Sequence, residues 1–272
     1  MRALLIRGAL TAFAVWLIAC AGLVLSARTL IYPFQPGFSV ERPVGLPGAH
    51  AVTLTAADGT PLTVWLKAPA PGSPVVLYFM GNGGMLPAHA PLLAALAEGG
   101  YGIAALNYRG AGETPGTPSQ EALTADALAL YDGLDGLLDG KPAPHRVIWG
   151  TSLGAALAVQ LAARRPAAAL ILESPFNRLC EVAQIHYPIF PVCLILPWER
   201  WDTADLIGTI GAPLLVLQGS ADRIIPPAQG RRLYEAAQAK KRLIVYPDAR
   251  HNDLPPGAAA RDAAAFVAGL TG

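Results

Sequence analysis

Gly150-Thr151-Ser152-Leu153-Gly154 decides the fold, because of what stands on either side of it. Before it lies the apolar run Val147-Ile148-Trp149, and after it Ala155-Ala156-Leu157-Ala158-Val159-Gln160-Leu161, a stretch rich in strong helix formers. A serine between two glycines at a strand-to-helix junction marks a tight, strained turn, in which the glycines permit backbone contacts that a Cβ would block. The hydroxyl is thereby presented outside the turn. It is a candidate nucleophile, and it needs a base to activate it.

Outward from this turn, strand-like and helix-like stretches alternate. Upstream, residues 50–56 and 61–68 flank Asp58-Gly59 and predict an antiparallel hairpin. Then follow a buried strand at 74–80, a helix at 88–98, a strand at 101–107 and a helix at 119–138. The turn itself joins a strand at 145–150 to a helix at 152–164. Downstream, strands at 168–173, 213–219 and 242–246 go with helices at 227–239 and 256–270. Such alternation predicts an α/β fold, one mostly parallel central sheet with helices on both faces. Residues 177–212 interrupt it with the proline-broken apolar run Tyr187–Trp198, which reads as a short lid insertion lining an acyl pocket or as a broken helix packed on the sheet.

Five histidines compete for the role of base. His251 follows a strand and precedes the last helix, which places it on a loop at the carboxyl edge of the sheet; His50, His89, His145 and His186 read as surface or packing residues. The base needs an acid to fix its tautomer. Asp222, just after the strand at 213–219, is the candidate, with Glu173 at the end of its own strand as the rival, whereas Asp202 and Asp253 read as solvated or capping. Charge developing on a substrate oxygen requires donors. The backbone N–H of Leu153, next to the serine, and that of Asn82, in Met80-Gly81-Asn82-Gly83-Gly84, are the candidates.

These residues together resemble the α/β-hydrolase superfamily, and within it the membrane-anchored ABHD-like, serine aminopeptidase S33-like branch. The likeness covers about residues 30–270. It rests on Leu30-Ile31-Tyr32-Pro33, Gly81-Asn82-Gly83, Asn107-Tyr108-Arg109-Gly110 with Gly112, the serine turn, Glu173-Ser174-Pro175-Phe176, and Gly219 with Asp222 and Pro226. It implies the chain order Ser152 (nucleophile), Asp222 (acid), His251 (base), in agreement with the assignment from the residues alone. It also implies that Arg109 braces its turn rather than touching substrate. One departure is Met80, where the family commonly has histidine before the oxyanion residue, and this puts the placement of that loop in question.

The amino terminus adds a membrane element. Gly8 to Ala27 is an uncharged apolar run between Arg7 and Arg28, about 30 Å long as a helix and so matched to a bilayer core. Residues 1–29 read as an uncleaved signal anchor, a transmembrane helix ahead of a hydrolase domain at 30–272. The alternatives are a signal peptide cleaved to release a secreted protein, from Ala19-Cys20-Ala21, and a lipoprotein lipidated at Cys20 of Leu17-Ile18-Ala19-Cys20. Arg2 and Arg7 ahead of the run place the remaining chain outside the cytoplasm. Cys180 and Cys193 both fall in the insertion and read as two buried thiols, with a bridge as the alternative outside the cytoplasm.

Composition excludes other classes. The 272 residues carry 20 basic and 19 acidic side chains, and only 14% are charged while 53% are hydrophobic, so the chain is neither disordered nor a nucleic-acid binder. Three cysteines make neither a disulfide scaffold nor a cysteine-rich zinc site. The expected activity is that of a serine hydrolase cleaving an ester or thioester of a small-molecule or lipid-like acyl substrate at a membrane, with no metal or organic cofactor. A peptidase of the same fold and a catalytically weak binding protein are the alternatives. The sequence does not specify acyl-chain length or oligomeric state.

Overall fold

Among the described residues, eight strands form one sheet in the order β1-β2-β4-β3-β5-β6-β7-β8. The computed structural model describes residues 1–35, 37–143, 145–196 and 198–271. Hairpin strands β1 (His50–Thr55) and β2 (Pro61–Lys67) are antiparallel, and β2 also runs antiparallel to β4 (Gly102–Leu106). The hairpin turns at Asp58-Gly59, where the Asp58 carboxylate accepts from the Thr60 amide at 3.0 Å. From β4 onward every pairing is parallel, through β3 (Val75–Phe79), β5 (Arg146–Thr151), β6 (Ala169–Glu173), β7 (Leu214–Gly219) and β8 (Lys241–Tyr246). Strands β3, β4 and β7 are buried along their whole length, as unbroken apolar runs in a parallel sheet require.

Right-handed crossovers decide which face each helix covers. The chain passes from β3 to β4 in one direction through α2 (Ala90–Glu98), then reverses across β3 to reach β5 through α3 (Gln120–Leu137). Hence α2 packs with α9 (Pro256–Thr271) on one face, and α3 packs with α4 (Leu153–Ala162) on the other, which α8 (Pro227–Ala236) extends. Ser119 caps α3 by accepting from the Ala122 amide at 3.1 Å. The reversal creates a crevice between the carboxyl ends of β3 and β5, where ligands bind in sheets of this kind.

Boundaries differ from expectation where proline and local turns intervene. The helix expected at 88–98 is a short 3₁₀ turn, Leu86–His89, followed by α2, which has Pro91 in its first turn. The amino-terminal helix α1 runs Arg2–Ile31, beyond the apolar run at both ends. Among the described residues it is the one helix long and apolar enough to cross a membrane. Residues 177–212 form three short helices, α5 (Leu179–His186), α6 (Val192–Ile195) and α7 (Ala204–Ile207), with Pro188 and Pro191 between the first two; Pro197 lies outside the described residues.

The reading of Cys180 and Cys193 as two buried thiols is overturned. They form a disulfide that ties α5 to α6, with Cα atoms 4.9 Å apart. Spacing alone could not reveal this, because the proline-rich segment folds α6 back onto α5. Titration of the denatured, unreduced protein is expected to find one reactive thiol per chain, that of Cys20, where two buried thiols would give three. Replacing both bridged cysteines by serine should lower stability by roughly 3 kcal/mol, read by denaturant unfolding.

Candidate active site

Two glycines bring the serine turn into place. A Cβ on Gly150 would stand 2.0 Å from the carbonyl oxygen of Gly154, and one on Gly154 would stand 2.1 Å from that of Phe79. Only glycine lets α4 start so close to β5 and β3. Between them Ser152 takes φ 55° and ψ −116°, a conformation that side-chain-bearing residues avoid and that costs about 1–3 kcal/mol. The Ser152 amide donates to the Glu173 carbonyl at 2.8 Å, which fixes the strained residue to the end of β6.

The structure brings Ser152, His251 and Asp222 into one hydrogen-bonded line. Ser152 Oγ lies 3.0 Å from His251 Nε2, and His251 Nδ1 lies 2.7 Å from Asp222 Oδ2. All three are buried. Each sits on a loop leaving a parallel strand, β5, β8 and β7 respectively, so the sheet delivers them to one edge. Gly219 permits this meeting, since a Cβ there would lie 2.3 Å from the Ala249 carbonyl oxygen on the histidine loop. Asp222 also accepts from the amides of Ile224 at 2.9 Å and Ile225 at 2.8 Å, and from Gln218 Nε2 at 3.3 Å. Burial pushes its carboxyl upward, but the bond from His251 and these amides outweigh it and hold the group below its ordinary value. Asp222 is thus ionised at neutral pH and selects the tautomer of His251 with the proton on Nδ1, which leaves Nε2 free to accept from Ser152.

The rival acid lies elsewhere in the hydrogen bonding. Glu173 accepts from Trp149 Nε1 at 3.3 Å and Thr151 Oγ1 at 3.2 Å. Tyr78 Oη stands 3.0 Å from Thr151 Oγ1 and 2.7 Å from His89 Nδ1. With one proton per hydroxyl, donation from His89 through Tyr78 and Thr151 to the Glu173 carboxylate satisfies the whole chain. Burial raises the pKa of Glu173. Sequence reading missed this network because it links four separate elements. Arg109 makes a two-pronged contact to Asp126 at 2.7 and 2.5 Å and reaches Asp58 at 2.7 Å, so its side chain ties α3 to the hairpin turn, where the resemblance implied a brace for its own turn.

The loop carrying Asn82 lies against Ser152, since a Cβ on Gly81 would be 3.5 Å from the serine Cβ. The Met80 side chain is buried and its carbonyl accepts from Tyr108 Oη at 2.7 Å, which anchors the loop where the family's histidine is missing. Among the described residues, the amides of Leu153 and Asn82 have no hydrogen-bond acceptor within the chain. Two cavities meet at Ser152 and Asn82. One, of about 220 Å³, is walled by apolar side chains including Ile31, Phe176, Leu179 and Val182. The other, of about 340 Å³, holds His89, Glu173, His251 and Asn252.

Comparison with known proteins adds the following. A family model described as serine aminopeptidase, S33, matches residues 72–194 and 201–254. The uncharacterized protein Rv2307c of Mycobacterium tuberculosis is 39% identical over 228 residues, 83% of this chain and 80% of that protein. Lysophosphatidylserine lipase ABHD12 of Danio rerio is 31% identical over 238 residues, 73% of this chain and 61% of that protein. Among solved structures, the esterase Pf2001 of Pyrococcus furiosus superposes with a TM-score of 0.71 at 18% identity, covering 88% of this chain and 98% of that one, a likeness of fold.

Burial lowers the His89 pKa from 6.5 to about 4, so between those values the unfolded chain binds a proton that the folded chain does not. The stability contributed by neutral His89 is therefore complete above about pH 6.5 and is lost as pH falls toward about 4. Denaturant unfolding across this window should show wild type losing up to roughly 3 kcal/mol relative to His89→Gln. A difference that does not vary with pH would contradict the burial of the neutral ring.

Proposed function

The chain belongs to the serine aminopeptidase S33 family of the α/β-hydrolase superfamily, and on that premise we propose that it is a serine hydrolase cleaving ester or thioester bonds of an acyl substrate at a membrane. The observation that carries this reading is the line Ser152–His251–Asp222 with spacings of 3.0 and 2.7 Å. His251 Nε2 takes the proton from Ser152 Oγ as that oxygen bonds to the substrate carbonyl carbon. The amides of Leu153 and Asn82 donate to the oxyanion. On collapse, His251 gives its proton to the leaving alkoxide or thiolate, which departs and leaves an ester on Ser152. Water then enters, His251 takes its proton, and the acid is released with the serine hydroxyl restored. Every proton has a donor and an acceptor among these side chains, so the sequence of steps calls for no metal or organic cofactor.

The cavity walled by Ile31, Phe176, Leu179 and Val182 beside Ser152 suits an acyl chain, and the other, which carries His89, Glu173 and Asn252 among apolar neighbours such as Leu92 and Leu254, suits a leaving group with polar substituents. The insertion 177–212 serves as the lid over the acyl side. Residues 1–29 act as a membrane anchor ahead of the hydrolase domain at 30–272. Both the basic residues before the apolar run and the Cys180–Cys193 bridge favour an extracytoplasmic domain.

A fluorophosphonate probe tests the nucleophile. Wild type is expected to be labelled and Ser152→Ala not; a folded wild type that resists labelling would contradict the mechanism. On p-nitrophenyl esters, Asp222→Asn should reduce kcat by about ten-thousandfold, while Glu173→Gln should retain most of it. The reverse order would transfer the acid role to Glu173.

A further inference from the structure

The apolar cavity beside Ser152 has walls from opposite ends of the sequence. Helix α1 contributes Leu23, Ala27 and Ile31, and the insertion contributes Val182, Val192 and Leu196. On α1, Cys20, Ala27 and Ile31 are buried and Leu23 and Val24 partly so, which marks one helical face seated on the domain. Polar contacts hold it there. The buried Glu199 carboxylate, within the insertion, accepts from Tyr32 Oη at 2.5 Å and from the Gln120 amide at 3.0 Å, and it lies 3.8 Å from Arg28 Nε. Trp201 Nε1 donates to the same tyrosine oxygen at 3.0 Å. Farther along the helix, Trp16 Nε1 donates to the Ile189 carbonyl at 3.0 Å. An anchor that merely tethered the domain would need none of these contacts.

The other faces of α1 are exposed and apolar, including Leu10, Phe13 and Leu17, and so belong in a bilayer. The insertion touching that helix exposes Ile189 at 70% and Leu194 at 81%. Leu23 precedes Arg28 by five residues, about 8 Å along the helix, and Ile31 follows it by three, so the cavity wall straddles the end of the apolar run.

We propose that α1 is part of the substrate site: the acyl cavity is closed by the membrane helix, and its occupant is the fatty acyl chain of a bilayer lipid, entering between α1 and the disulfide-tied insertion without crossing water. The inference rests on the acyl-hydrolase reading above for the fate of the lipid, but the geometry of the wall stands by itself. A chain leaving the bilayer by this route exchanges one apolar environment for another, whereas a route through solvent would hydrate every methylene. Ala27 sets the room available, because it is the small residue where the helix meets the cavity.

The test uses full-length Ser152→Ala protein reconstituted in phosphatidylcholine vesicles, with a fluorescent long-chain fatty acid as probe, so that binding is read without turnover. Saturable binding is expected. Adding Ala27→Trp should weaken it about tenfold, and Leu23→Trp gives the same reading if the first variant fails to fold. The double variant Ile189→Asp/Leu194→Asp should load from vesicles roughly fivefold more slowly with its affinity in detergent unchanged. No saturable binding, an affinity indifferent to tryptophan at both wall positions, or a loading rate indifferent to the aspartates would overturn the proposal. Binding with these dependences in a protein whose wild type hydrolyses no ester would instead count against the hydrolase reading alone.

Discussion

The approach of Gly154 to the carbonyl oxygen of Phe79 is the contact on which the carboxyl edge of the sheet depends. It sets α4 against β3 and β5 with no room for a side chain, and the chain can meet that demand only by passing Ser152 through a strained conformation. The strain is held by neighbours that the sheet supplies: the Glu173 carbonyl on the Ser152 amide, and Tyr108 on the carbonyl of Met80. Because β3 and β5 flank the point where strand order reverses, the same contact opens the crevice in which Ser152 faces Asn82.

Around that turn, buried charge is managed in two different ways. Asp222 is bonded by His251, two backbone amides and Gln218, enough to keep it ionised within the protein. Glu173, whose carbonyl accepts from the Ser152 amide, ends a separate chain of donors from His89 and is pushed the other way by burial. Two carboxyl groups near one histidine are thus separated by their donors. The directional bond to His251 belongs to Asp222, while Glu173 stiffens the strand ends behind the serine.

The sheet and its order of elements were legible because their signals are local: apolar runs, a glycine-flanked serine, an Asp-Gly turn and alternating periods. The candidates at the site were legible for a related reason. In a parallel sheet, chain order fixes which loops reach the carboxyl edge, so Ser152, Asp222 and His251 could be placed together by counting strands. What escaped were contacts that local pattern does not encode. Cys180 and Cys193 meet only because prolines fold α6 back on α5, and Tyr32 finds Glu199 across 167 positions of sequence. The apolar run of α1 reads the same whether the helix stands free or seals a cavity. Its seated face is distinguished by Ala27 and Ile31 packing against the domain, and neither residue is unusual in a membrane span.

The central claim is that Ser152 and His251 act as a single catalytic unit through their 3.0 Å contact. Its most direct test is the kcat of Ser152→Ala, His251→Ala and the double variant on one p-nitrophenyl ester, with each protein shown to be folded. If the two groups work as a unit, the double variant should lose about as much as either single variant, since the remaining partner has nothing left to act on. Losses that multiply would mean that the residues contribute independently and would contradict the account.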